Sequence, residues 1–151
     1  MTEKLIAENR RARHEYHLLE RVEAGLVLTG TEVKSLRAGK ADLARSYATL
    51  RDGEGWLVGL HIPPYEQASL GAHDPDRDRK LLLHGRELAS LAGKVGERGL
   101  TLVPTRLYFK NGRVKVELAL GRGKELHDKR RDIAKRDADR QMERALRTRR
   151  R

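Results

Sequence analysis

From residue 100 to residue 120 apolar and polar positions alternate on either side of Asn111-Gly112. Leu102, Pro104, Leu107 and Phe109 lead into that dipeptide. Val114, Val116, Leu118 and Leu120 leave it, separated by Arg113, Lys115 and Glu117. A period of two puts one set of side chains on each face of a strand, and Asn-Gly tolerates the two positive φ angles of a tight hairpin turn. The segment therefore predicts a β-hairpin with one buried face.

Weaker alternation recurs upstream. Tyr16, Leu18, Val22, Ala24, Leu26 and Leu28 occupy every-other positions and predict a long strand over 14–28, bent near Gly25. Gly30-Thr31 opens a short helix with Thr31 as N-cap, Val33 and Leu36 on one face and Gly39 as the stop. Residues 47–50 and 56–62 predict a strand pair around the turn Asp52-Gly53-Glu54-Gly55, and Pro63-Pro64 ends it. Residues 69–78 read as a polar loop. Leu81-Leu82-Leu83 is a core signal, followed by an amphipathic helix over 86–95 carrying Leu88, Leu91, Ala92 and Val95, closed by Gly96 or Gly99. Residues 1–13 read as a short helical or loose lead-in with a basic end. Five or six strands with two or three helices suggest a mainly β fold. The expected form is a small antiparallel oligonucleotide-binding-like barrel with peripheral helices and a basic C-terminal tail. No internal repeat occurs.

Charge divides the chain near residue 122. Residues 121–151 hold thirteen Lys/Arg and six Asp/Glu, so they carry +7 of the chain's +11. Their large branched apolar residues are Leu126, Ile133 and Leu146. So polar a segment cannot bury enough surface to offset its ordering entropy, and alone it is expected to be disordered or a frayed helix. Residues 1–122 form the folded domain in this reading, since 1–120 contain thirty-two Leu, Ile, Val and Phe. Residues 123–151 form a tail that orders on a polyanion, with nucleic acid the expected partner. As a helix the tail would align Lys129, Arg136, Arg140, Arg144, Arg147 and Arg151 on one side. Like charges a turn apart repel, and Asp132 with Arg136 and Glu143 with Arg147 offset this only in part.

Several function classes fall away. No apolar run approaches the ~20 residues of a membrane-spanning helix, and no apolar stretch follows the basic start as in a signal peptide. With no cysteine there is no disulfide, Cys-zinc site or thiol nucleophile. These features fit a cytoplasmic protein. His14-Glu15-Tyr16-His17 does not fit zinc: on a strand positions 14 and 17 face opposite ways, and the spacing is not His-Glu-x-x-His. No nucleophile elbow, Walker loop or paired-carboxylate signature appears, so neither an enzyme nor a cofactor is expected. Gly121-Arg122-Gly123-Lys124 resembles a phosphate-cradling loop, but two glycines after a strand are more often a hinge, leaving Lys124 to touch a phosphate.

The basic residues are the remaining candidates. Arg10, Arg11, Arg13 and His14 form a cluster that Lys34, Arg37 and Lys40 would extend into one patch, and Arg77, Arg79 and Lys80 add charge beside the three leucines. The six aromatics, Tyr16, Tyr47, Trp56, Tyr65, Tyr108 and Phe109, sit mostly at strand positions suited to core packing. A reader of single strands carries more stacking platforms. The body is therefore expected to read folded RNA by shape, phosphate and 2′-hydroxyl contacts.

Laid out in order, these residues resemble the SsrA-binding protein (small protein B) family, the partner of transfer-messenger RNA in bacterial trans-translation. The resemblance is carried by Asn9-Arg10-Arg11-Ala12-Arg13-His14-Glu15-Tyr16, Glu23-Ala24-Gly25-Leu26 and Gly30-Thr31-Glu32-Val33-Lys34-Ser35-Leu36-Arg37-Ala38-Gly39-Lys40. It continues through Asp74-Pro75 with Arg79-Lys80-Leu81-Leu82-Leu83, Leu107-Tyr108-Phe109-Lys110-Asn111-Gly112 and Gly123-Lys124-Glu125-Leu126-His127-Asp128-Lys129-Arg130. It implies an oligonucleotide-binding-like barrel that grips the elbow of the tRNA-like part of that RNA. Asn9, His14, Glu23 and Leu82 match positions that support or form the RNA surface. Arg11, Arg13 and Lys80 are the implied phosphate contacts, and Lys34, Arg37 and Lys124 join them by charge.

The resemblance further implies that the tail, from Gly123, enters the decoding site and the empty mRNA channel of the small ribosomal subunit, there becoming helical. His127 would stack on a decoding-site base, Asp128, Lys129 and Arg130 would serve accommodation, and Arg136, Arg140 and Arg144 would line the channel. Thr148-Arg149-Arg150-Arg151 has no counterpart. The implied partners are transfer-messenger RNA and small-subunit RNA, bound by a monomer, with no membrane. A structural ribosomal or general nucleic-acid-binding protein with an electrostatic tail is the alternative.

Overall fold

Asn111 and Gly112 take φ of 51° and 79° and close the hairpin between β6 (Thr101–Lys110) and β7 (Arg113–Gly123). The computed structural model describes residues 3–65, 73–123 and 126–149, without the side chains of 97, 98, 126–129, 132, 148 and 149. Val114, Val116, Leu118 and Leu120 of β7 join Leu102 and Leu107 of β6 in the core, as the alternation predicts. The register slips between Pro104 and Arg106. Proline has no N–H for the ladder, so a bulge is a natural place for it.

The lead-in is a strand rather than a helix or loose segment. β1 (Glu3–Glu8) pairs antiparallel with β6, from Glu3 opposite Lys110 to Glu8 opposite Arg106. Its apolar residues Leu5, Ile6 and Ala7 are consecutive, so no period of two marks it; the ladder of β6 does. Helix α1 (Arg11–Glu15) follows and β2 (Tyr16–Leu26) begins after it, so the strand expected from residue 14 starts two residues later. His14 is therefore helical, and the argument from opposite strand faces does not apply to it. β2 runs along β7 as far as Gly25 opposite Lys115, then passes Gly25 and Leu26 to β5 (Arg79–Leu82). Gly25 is thus the partner-switch point, while the bulge lies between Leu18 and Glu20.

Helix α2 (Gly30–Arg37) is capped by Thr29, not Thr31. The Thr29 side chain accepts from the Glu32 amide and Glu32 accepts from the Thr29 amide, a reciprocal capping box. Gly39 follows with φ 76° as the stop. β3 (Tyr47–Arg51) and β4 (Glu54–Val58) are joined by Asp52-Gly53 alone, both with positive φ, so Glu54 and Gly55 belong to β4. β4 ends at Val58 rather than 62. Gly59 takes φ 81°, and a Cβ there would stand 2.7 Å from the Arg45 carbonyl oxygen; beyond it His61 forms an isolated bridge with Asp42. Helix α3 (Gly85–Arg98) ends on Gly99 in the left-handed region. Helix α4 (Leu126–Arg149) is the tail.

Among the described residues the fold is mainly β, a seven-stranded antiparallel sheet with four helices, in the order β1-β6-β3-β4-β5-β2-β7. β7 also pairs with β6, so six strands form a cycle of hydrogen-bonded neighbours with β1 flanking it. Leu57, Leu60, Ile62, Leu107, Val116 and Leu118 are fully buried at its centre. Burying each such side chain is worth about 1.5–3 kcal/mol.

Candidate nucleic-acid interface

Residues directly opposite in an antiparallel ladder share a face. Leu5 lies opposite Tyr108, Tyr108 opposite Lys115, Lys115 opposite Gly25 and Gly25 opposite Leu82. Lys80, two residues from Leu82, lies opposite Trp56. One outward row therefore crosses five strands. Leu82 is 54% exposed and Leu5 53%, large apolar side chains that the inward alternation does not need. Leu82 packs over Gly25, where an added Cβ would stand 3.3 Å from Leu82 Cδ1. Glu23, Leu82 and Lys80 are thereby brought to one face.

Glu23 is held within that face by its neighbours. It accepts a short hydrogen bond from the Tyr108 hydroxyl, and Lys110 Nζ lies 3.3 Å from its Oε2. The Tyr108 bond, with Lys110 adding to it against the effect of burial, holds the Glu23 carboxyl below its ordinary range. Burial and Glu23 together push the Tyr108 hydroxyl up. The Arg106 guanidinium covers the Tyr108 ring at 4.6 Å. At the far end Arg51 lies 5.1 Å from the Trp56 ring centre, and Lys80 reaches Glu54 at 3.2 Å.

Asn9 is not at the surface. It is 6% exposed, its amide donates to the Thr105 carbonyl and its Nδ2 donates to the Pro104 carbonyl at 2.9 Å. It fixes the end of β1 against the bulge of β6. From that anchor α1 holds Arg11 and Arg13 exposed and His14 half-buried, with Ala12 buried beneath. Arg11 shares a cleft with Tyr16, Arg45 and Tyr47. Lys34, Arg37 and Lys40 are the residues that the sequence adds to this basic cluster. Of the α2 side chains, Lys34 lies 5.8 Å from the Tyr65 ring, Ser35 donates to the Pro63 carbonyl and Thr31 meets His73. The Arg45 and Tyr47 contribution carried no sequence signal, because only the packing of the segment after α2 brings them to α1.

Arg79 is no surface base. It and Glu32 are both fully buried, 2.6 Å apart, and Arg77 reaches the other Glu32 oxygen at 2.6 Å. Arg79 also donates to the Leu60 and Pro75 carbonyls. Burial works against ionisation of Glu32, but bonds from Arg77, the Thr29 amide and Arg79 outweigh it and lower the carboxyl to about 2. The Thr29-Gly30-Thr31-Glu32 capping signature was the available signal for this buried acid.

Gly121 to Gly123 are strand rather than hinge: Gly121 pairs with Leu18 and Thr101, and Gly123 with Tyr16. Gly121 lies under Tyr16, where an added Cβ would stand 3.0 Å from Tyr16 Cβ. Lys124 lies outside the described residues, as do the side chains of His127, Asp128 and Lys129. Arg130, Arg136, Arg140 and Arg144 are exposed on α4. Arg136 Nη2 donates to His14 Nδ1 at 3.5 Å, where α4 meets α1. Among the described residues no cluster of three or more His, Asp or Glu is placed to hold a metal, and no helix is long and apolar enough to cross a membrane.

The family model described as SmpB protein matches residues 6–148. An SsrA-binding protein of Thermobifida fusca (strain YX) is 60% identical over 147 residues, covering 97% of this chain and 92% of that one. The SsrA-binding protein of Oleidesulfovibrio alaskensis (strain ATCC BAA-1058 / DSM 17464 / G20) is 58% identical over 142 residues, covering 94% and 92%. A solved chain described as "tmRNA-SmpB: a journey to the center of the bacterial ribosome" superposes with a TM-score of 0.66 at 57% identity, covering 80% of this chain and 85% of that one.

Proposed function

The chain belongs to the SmpB protein family, and from that premise we propose that it is an RNA-binding adaptor of trans-translation. It binds transfer-messenger RNA and acts with it on the ribosome. The observation that carries the reading is the span of the match, residues 6–148, which takes in both the sheet and most of the tail.

The body, residues 1–122, is read as an oligonucleotide-binding-like barrel; the cycle of six paired strands supports this. Its RNA surface is the outward row with Leu82, Lys80 and Lys115, extended by Arg11, Arg13 and His14, with Lys34 and Arg37 beyond. Leu82 packs on a ribose or base, the Lys and Arg residues take phosphates, and Glu23 fixes Tyr108 and Lys110 rather than meeting phosphate itself. Asn9 acts through the β1–β6 joint. Residues 123–151 are the second unit, acting in the decoding site through His127, Asp128, Lys129 and Arg130 and along the mRNA channel through Arg136, Arg140 and Arg144. The protein works in the cytoplasm, without enzymatic chemistry of its own.

The two units give separable defects. Replacing His127, Lys129 and Arg130 with Ala is expected to leave transfer-messenger RNA affinity nearly intact in a gel shift while abolishing peptidyl transfer to that RNA on stalled ribosomes. Leu82→Asp is expected to reverse the pattern and weaken RNA affinity at least tenfold, about 1.4 kcal/mol. A tail triple variant that loses RNA binding, or an unchanged Leu82→Asp, overturns the division.

A further inference from the structure

The ladder turns Trp56 outward. Its neighbours in β4, Gly55 and Leu57, are buried, and Trp56 lies opposite Thr49 of β3 and Lys80 of β5. The alternation that fills the core therefore does not use this ring, which stays half-buried on the outer face of the sheet. Val27 continues the same row beyond Lys80: its amide donates to the Lys80 carbonyl at 3.0 Å, and its side chain is 45% exposed. Leu82 is two residues along β5 from the residue opposite Trp56, the diagonal position that aromatic side chains reach across.

Arg51 covers the ring. Its guanidinium lies over the indole, 5.1 Å from the ring centre, and its Nη2 donates to Asp78 Oδ2 at 3.0 Å. A guanidinium donates in its own plane, so the bond to Asp78 leaves its two faces for stacking. One face lies on the indole, and the Arg51 side chain remains 50% exposed. A second flat group fits on the outer face of that layer. Lys80 stands beside it, held by Glu54 at 3.2 Å with both side chains exposed. An ion pair so exposed contributes little, so Lys80 exchanges Glu54 for a phosphate at small cost.

We propose that Arg51 and Trp56 form a stacking platform for an unpaired nucleobase of RNA, with Leu82 and Val27 as its apolar border and Lys80 on the adjoining phosphate. A planar cation layered on a ring takes the face of a base that is free of its own stack, which a loop or bulge presents and a duplex does not. The platform carries the RNA surface from Leu82 across β4 to β3. It deepens the adaptor reading above and rests on it for the identity of the RNA.

Trp56 is the sole tryptophan of the chain, so the fluorescence of the full-length protein reports this site. Transfer-messenger RNA is expected to quench the emission. The same RNA with abasic sites at the unpaired positions of its tRNA-like part, added to saturation, should leave the emission nearly unchanged. Arg51→Lys keeps the charge but loses the plane, and is expected to weaken affinity for the intact RNA about tenfold. Trp56→Leu is expected to cost about tenfold and Trp56→Phe less than about threefold. Against the abasic RNA all three variants should match the wild-type protein. A merely structural role gives a different result, since a damaged fold weakens both RNAs alike. If Trp56→Leu fails to fold, Arg51→Lys carries the comparison. Quenching that persists with the abasic RNA, or an Arg51→Lys protein that weakens for both RNAs equally, overturns the proposal. So does an RNA that shifts in a gel without moving the emission, and that result leaves the adaptor reading standing. An intact RNA that does not bind at all overturns both.

Discussion

Glu32 and Arg79 look in the sequence like two more charges on a charged chain. The structure buries both and pairs them, and a buried pair is judged by what each half costs alone. Glu32 has a folded-state value of about 2 against an ordinary 4.5. Its contribution is complete above about 4.5, fades as pH falls towards about 2 and is gone below it, an effect of about 3 kcal/mol. Urea unfolding at a series of pH values checks this: the wild-type protein loses stability across that window, and the difference from Glu32→Gln shrinks there. At neutral pH Glu32→Gln is expected to cost about 3–5 kcal/mol, because Arg79 is left buried and unpaired. Gly59→Ala is expected to destabilise by more than about 2 kcal/mol, since the position combines positive φ with a carbonyl oxygen 2.7 Å from the new carbon. Glu23 gives the third residue-scale outcome. Tyr108→Phe removes the largest influence lowering its carboxyl, so its NMR titration midpoint is expected to move up; an unmoved midpoint means that the Lys110 contact alone holds it.

At the scale of elements, the β6–β7 hairpin was legible because its information is local: Asn111-Gly112 sets the turn and strict alternation sets the faces. β1 was not legible, since Leu5-Ile6-Ala7 has no period and becomes a strand only along β6. The cap of α2 was misplaced by two residues, because Thr29 and Thr31 are chemically alike and only the reciprocal bond to Glu32 separates them. Helix α4 is the opposite case from the hairpin. Its described side chains are all exposed, so no packed face supports it, and the helix depends on propensity and on whatever anion neutralises its bases. Truncation after Gly123 is therefore expected to change the stability of the body by less than about 0.5 kcal/mol. Circular dichroism should gain helix when the full chain, but not the truncated one, meets RNA. A truncated body that melts much earlier would mean that α4 is part of its core.

At the scale of the whole molecule, the charge is divided between a body of modest net charge and a tail that carries most of the excess. Removing the tail should lower the salt slope of RNA binding by about 0.7–0.9 for each phosphate it contacts. Competition with bulk tRNA should leave the body's preference for its own RNA in place, and loss of that preference would favour an electrostatic anchor over an adaptor. The sequence by itself determined the β-rich body, the hairpin, the helix stop at Gly39, the narrowing of the next stop to Gly96 or Gly99, and the split between apolar body and basic tail. All of these follow from residue chemistry within a few positions. The tertiary structure alone decided that Asn9 is an internal clamp, that Arg79 is buried on Glu32, and that Leu82, Gly25, Lys115, Tyr108 and Leu5 form one row. These depend on register and on contacts between residues far apart in the chain, and a period of two says which face a side chain takes but not which strand lies beside it.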